Sequence, residues 1–277
     1  MRARIAIAVL TVLTGACATL PLLVPEGPSH PLTASDAAQA FGEGSAVCGG
    51  VRTLTAELGL SGRVGSRKLR GHVLAGFERS GSLRLEAPAP FGAPIFILAA
   101  RANRAVIWFP RDKRVLTDAT VGDVIEALTG MRRHADDLLA LLTGCLVSSP
   151  QAGETGAQRF ESGWITMPLA GGAEAFLRRP QQQWRIVGGR GSGGGDPATP
   201  PWTVAYDEFA AGFPGVVRVS QAPTSDVTFR VSQLEANIAI DAAAFTLNVP
   251  ADAAPMSLDE LRQLGPLADS AAGSGRR

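Results

Sequence analysis

From Val51 onwards the chain alternates. Leu54, Ala56, Leu58 and Leu60 fall on one side of an extended segment, and Thr53, Thr55 and Glu57 fall on the other, a period of two that predicts a half-buried strand. Further short strands are predicted at residues 69–78, 82–87, 94–100, 105–109 and 114–117, separated by Gly, Pro, Asn or Asp turn signals at the spacing of an antiparallel meander. The rhythm then changes. Residues 121–128 and 135–142 place Val124, Ile125 and Leu128, then Leu138, Leu141 and Leu142, at helical spacing, with Gly130 between the two helices and Gly144 after the second. Strands resume at 159–167, 173–179, 183–187, 202–207, 216–221 and 226–237. A last strand-like piece at 245–249 precedes a short helix over 258–264 with Ser257 as N-cap. Ahead of the first strand, residues 33–41 predict a short helix with Thr33 or Ser35 as N-cap and Gly42 as stop.

The expected fold is mainly β with an α lid: a single antiparallel sheet of about 11–12 strands forming an open half-barrel. A sheet of that size must curl, and with two helices over its concave side it encloses a hollow fit for an acyl chain. A tight barrel filled by its own side chains is the alternative, which periodicity does not exclude.

The first residues suggest export. Arg2 and Arg4 precede an apolar run, residues 5–13, too short to span a bilayer, and small residues then lead to Cys17, the layout of a secretory signal. Leu13 to Cys17 resembles a lipoprotein lipobox with Thr14 where Leu is usual, while Ala16 and Ala18 also spell a plain small-x-small cleavage site. On the lipobox reading residues 1–16 are a signal peptide, Cys17 is acylated and residues 17–32 are a Pro- and Leu-rich tether. Residues 33–267 then form the folded domain and 268–277 a frayed tail. Ala18, which is not acidic, leans towards the outer membrane. Setting Cys17 aside leaves Cys48 and Cys145, expected to form a disulfide in an oxidising compartment, two buried thiols being the alternative.

Charge gives no further partner. With 26 basic and 25 acidic residues there is no strongly basic surface for nucleic acid. No G-x-S-x-G, H-E-x-x-H or C-x-x-C motif occurs, and no catalytic residue, metal site or cofactor is expected. Gly189, Gly191 and Gly194 match G-x-G-x-x-G, but Pro197 to Pro201 follow where a helix would have to begin, so they read as a flexible hairpin loop. His134, Asp136 and Asp137 read as the polar start of a helix. Trp108, Trp164, Trp184 and Trp202 lie in or at the ends of strands, as core residues or in contact with a bound chain. Phe91 sits between Pro90 and Gly92 in a proline-braced loop, where a bulky apolar tip either meets a membrane or folds back on the sheet edge.

In its order of features the chain resembles the LolB/LolA family of lipoprotein-localisation factors, as a divergent LolB-like branch. The resemblance rests on the lipobox, the leading helix, L-R-L-E-A-P-A-P-F-G from Leu83 to Gly92, A-L-T-G-M from Ala127 to Met131, and L-E-A-N from Leu234 to Asn237. It implies an incomplete barrel with a helical lid that accepts acyl chains of lipoproteins or lipids, from a periplasmic LolA-like carrier, and passes them into the outer membrane. The protein would act as a lipid-anchored monomer on the periplasmic face. On that basis Leu83, Leu85, Ile95, Ile97 and Trp108 are expected to line the cavity, Leu128, Leu138 and Leu142 to face it from the lid, and Phe91 to touch the membrane. A structural lipoprotein with a filled core, serving as an interaction module, is the rival reading.

Overall fold

The structure is a computed structural model that describes residues 24–146, 156–169, 172–192, 200–221, 223, 225–265 and 267. The lipobox and Cys17, Gly194 and the tail from 268 lie outside the described residues.

The chain opens with β1 (Ser29–Pro31) and helix α1 (Ala34–Gly49), then runs through a meander of β2 (Thr53–Val64), β3 (Arg67–Glu78), β4 (Ser82–Ala87), β5 (Phe96–Arg101), β6 (Arg104–Phe109) and β7 (Arg114–Thr120). Two helices follow, α2 (Val121–Thr129) and α3 (Ala135–Thr143). The second meander comprises β8 (Gln158–Phe160), β9 (Ile165–Leu169), β10 (Ala173–Arg178), β11 (Arg185–Gly191), β12 (Trp202–Asp207), β13 (Val216–Gln221) and β14 (Ser225–Ala236). The C-terminal part holds β15 (Ala254–Pro255) and α4 (Leu258–Leu264).

All fifteen described strands belong to one sheet, ordered β1-β8-β9-β10-β11-β12-β13-β14-β2-β3-β4-β5-β6-β7-β15. Every pairing is antiparallel except the short parallel contact of β15 with β7. The two meanders join through β14 and β2, both 12 residues long, whose long register gives the sheet its spine. β1 and β15 are the two ends and do not pair with each other, so the sheet stays open. Its strand count exceeds the sequence expectation because β1, β8 and β15 are only two or three residues long, too short to show a period.

The helices spread over one face. α1 lies on β10 and β11, α3 on β3 and β4, α2 on β6 and β7, and α4 packs on α2. Thr33 caps α1 by accepting the amide of Asp36 at 3.1 Å. The helix does not stop at Gly42 but continues to Gly49, because its packing on the sheet outweighs the modest helix penalty of glycine. Gly44 is the point of closest approach: a β-carbon there would lie 3.0 Å from Leu177 Cδ2. At its far end Cys48 and Cys145 form the expected disulfide, with Cα atoms 5.5 Å apart, linking α1 to the residue that follows the C-cap of α3.

Two further expectations are corrected. Residues 245–249 do not form a strand; Ala242–Phe245 is a 3₁₀ turn begun by Asp241, whose side chain accepts the Ala243 amide. Both edges of β4 are already taken by β3 and β5, so this segment crosses the face of the sheet instead, with Arg84 donating to the Ala244 carbonyl at 3.1 Å. Gly189 and Gly191 are also not loop residues but belong to β11. Gly191 makes room for the Trp202 indole, which a β-carbon would meet at 2.4 Å, and Gly189 does the same for Leu146 at 2.5 Å.

Candidate functional site

The face beneath the helices is apolar almost from edge to edge. Its rows follow from the register: Leu54 opposes Phe77, Phe77 opposes Leu83, and Leu83 opposes Ala100. One row along, Ala75, Leu85, Leu98 and Ile107 stand in line. Beyond the spine the same face carries Phe229, Val217, Val219, Val204 and Ala175. Leu128 from α2 and Leu138 and Leu142 from α3 belong to the same continuous cluster as Leu83 and Leu85. Those five sequence-selected residues are therefore brought together. Leu83, Leu98, Ile107, Leu139 and Leu142 are each at most 1% exposed, so sheet and helices pack directly on each other at these positions.

Ile97 and Trp108 do not line this face. They oppose each other across β5 and β6 and alternate with Leu98 and Ile107, which places both on the far side of the sheet. Residues 95–100 are apolar at both parities, so alternation could not tell the two faces apart. Ile95 stands in the loop before β5, partly buried against the inner cluster.

One polar cluster interrupts the inner face. Arg133, between α2 and α3, places its guanidinium carbon 5.1 Å from the centre of the Trp202 ring. Burial lowers its pKa, while Asp137 and Tyr206 oppose that shift. Tyr206 is fully enclosed, and burial raises its hydroxyl's pKa above the ordinary value; the Leu146 amide donates to that hydroxyl at 3.1 Å. Sequence reasoning missed this group, because neither the lone tyrosine of the chain nor Arg133 stands in any motif.

The helical layer is tied down unevenly. At the N-terminus of α3, Asp136 Oδ1 accepts the backbone amides of Ser80 and Gly81 at 3.2 and 3.1 Å, and His134 Nδ1 lies 3.2 Å from Asn103 Oδ1. Both partners sit in turns of the first meander, so His134 and Asp136 work as anchors of the helix; Asp137 acts on Arg133. At the other end the disulfide holds α3 to α1. α2 has its own cap, Thr120, and Arg132 reaches Asp123 and Glu126 from beyond its end, but these contacts are local.

Phe91 is 89% exposed, the most exposed large apolar residue described. Arg111 fixes the loop from the neighbouring β6–β7 turn by donating to the carbonyls of Phe91 at 2.6 Å and Ala93 at 3.0 Å. The ring thus projects from a braced backbone and does not fold back onto the sheet edge. Among the described residues no helix is long and apolar enough to cross a membrane.

No protein-family model and no curated sequence matches the chain. Among solved structures it is similar to a LolA-superfamily protein from Nitrosomonas europaea, at 8% identity and a TM-score of 0.49, over 76% of this chain and 97% of that one. It is also similar to a DUF1329 family protein from Desulfovibrio piger, at 10% identity and a TM-score of 0.46, over 76% of this chain and 97% of that one. A putative outer membrane lipoprotein-sorting protein domain from Vibrio parahaemolyticus follows at 11% identity and 0.40, over 77% and 97%.

Proposed function

We propose that this chain is an outer-membrane lipoprotein, anchored through Cys17, that receives an acyl chain between its sheet and its helices and releases it into the membrane at Phe91. The observation that carries the proposal is the inner face: a continuous apolar surface on an open sheet, covered by short helices instead of by a second sheet. α2 and α3 have nine residues each, below the roughly 12–15 at which a helix holds by itself in water, so their stability comes from packing on the sheet. An acyl chain offers the sheet the same kind of contact. Burying a chain of about 16 carbons contributes up to roughly 13 kcal/mol at ~0.8 kcal/mol per methylene, less the cost of ordering the chain and displacing the helices.

The transfer is then a competition between apolar surfaces and needs no catalytic group. α3 is tied at both ends, and Arg114 holds α4 to the sheet through Glu260, so α2, whose side-chain bonds are local, is the helix that moves aside. The donor is a periplasmic LolA-like carrier, the cargo the acyl chains of a lipoprotein or lipid, and the protein acts as a monomer.

A filled-core interaction module is favoured by one observation, the tight packing of the inner face in this closed form. Native mass spectrometry of the chain carrying Cys17→Ser separates the two. Co-purified lipid or acyl-peptide, reduced when Leu128 and Leu138 are made polar, supports the carrier; a bare protein mass that also ignores added acylated lipoprotein supports the module.

A further inference from the structure

One groove among the described residues does not lie under the helices. It lies on the opposite face of the second meander, has a volume of about 770 Å³, and is lined by Trp164, Phe176, Val187, Ala205 and Phe209 together with Arg178, Arg179 and Arg218. The face follows from register. Phe176 alternates with the inner residues Ala175 and Leu177, and Ala205, which opposes Arg218, alternates with Val204 and Tyr206. Side chains here point away from the acyl-binding face proposed above.

The groove pairs an apolar floor with a cationic rim. Phe176 at its base is 1% exposed. Arg178 stacks on Trp164 at 4.8 Å, and Arg185, beside the groove, stacks on Phe209 at 5.2 Å. Such stacking holds a guanidinium flat while leaving its N–H edge free to bind an anion. The lining holds three arginines against one acid, Asp207, and Asp207 is already paired with Arg218. Arg178 and Arg185 enter no salt bridge among the described residues. The volume lies within the roughly 300–1,000 Å³ typical of small-ligand clefts.

We propose that this groove binds one single-chain anionic amphiphile, with its chain along Val187 and Ala205 and its carboxylate or phosphate on Arg178. Charge complementarity sets the head group: a neutral amphiphile gains the floor but leaves Arg178 without an anionic partner. Turns bound the groove at residues 162–163 and 179–180, so its shape suits a chain laid along it more than a flat membrane surface.

Isothermal titration of the Cys17→Ser full-length chain with laurate, and with a nonionic twelve-carbon maltoside as control, tests this. The expected result is saturable binding of one laurate per chain and much weaker binding of the maltoside. Arg178→Glu, at an exposed position, should weaken laurate binding at least tenfold, and Ala205→Trp should abolish it by filling the groove. Circular dichroism checks that both variants fold, and the exposed Arg178 variant keeps the test decisive if the tryptophan does not fit. Laurate binding unchanged by Arg178→Glu, or equal binding of the maltoside, overturns the proposal. So does binding only of a synthetic acidic peptide. Loss of laurate binding in the inner-face variants at Leu128 and Leu138, with no effect of Arg178→Glu, would assign the ligand to the inner face and also overturn the groove.

Discussion

The Asp136 carboxylate accepts the Gly81 amide at 3.1 Å, joining the first turn of α3 to a β-turn that is 55 residues earlier in the chain. The same oxygen accepts the Ser80 amide, so one side chain satisfies two donors of the β3–β4 turn. Asp136→Ala removes both bonds, and α3 then depends on its packing, on the His134–Asn103 contact and on the disulfide. The expected loss is roughly 1–3 kcal/mol of stability, since the bonds go to a charged acceptor. Hydrogen exchange checks it: amides of α3 should exchange faster through local opening, while those of β2 and β14 speed up only as far as global stability falls.

Reducing the Cys48–Cys145 bond releases the other end of the same helix. The bridge closes a loop of 97 residues, for which the chain-entropy model gives up to about 4.7 kcal/mol, and removal of native disulfides usually costs about 2–5 kcal/mol. A Cys48→Ser, Cys145→Ser double variant should therefore melt several degrees lower than the parent, and adding reductant should lower the parent's melting temperature but leave the variant's unchanged.

Phe91 contributes almost nothing to the core, so its replacement separates folding from membrane contact. Phe91→Glu should leave the melting temperature within a degree or two and reduce delivery of an acylated protein to liposomes. Equal delivery by variant and parent would remove Phe91 from the mechanism.

Glu260 predicts an acid response at α4. Its carboxylate is held down to about 2, first by the Ser257 amide, then by Arg114 and the Ser257 hydroxyl. Because the folded value lies below the ordinary 4.5, the stabilisation is complete above pH 4.5 and is lost as the pH falls from there towards 2. A carbon-detected NMR titration should place the Glu260 midpoint near 2 in the folded chain, and α4 should loosen over that window. Glu260→Gln should loosen α4 at neutral pH and remove the acid step.

Much of this protein was legible in its residues. Alternation at Leu54, Ala56, Leu58 and Leu60 was enough to identify β2, because one face is buried and the other is not. The helical spacing of Val124, Ile125 and Leu128, ended by Gly130, located α2 to within a residue, and Ser257 as N-cap marked the start of α4, where the structure adds Glu260 as the other half of a capping box. Cys48 and Cys145 were paired by count alone.

What only the tertiary structure decided were matters of face and of contact between distant segments. Ile97 and Trp108 went to the far side of the sheet because register, not hydrophobicity, assigns faces in a segment apolar at both parities. Gly189 and Gly191 joined a strand because Leu146 and Trp202 needed the space that their missing side chains leave. Arg178 and Arg218 came to line one groove only once β10 and β13 took their places in the same sheet. Local periodicity reports how each segment meets water, whereas pairing partners, close approaches and shared charge are set by residues far apart in the chain, and no local pattern encodes them.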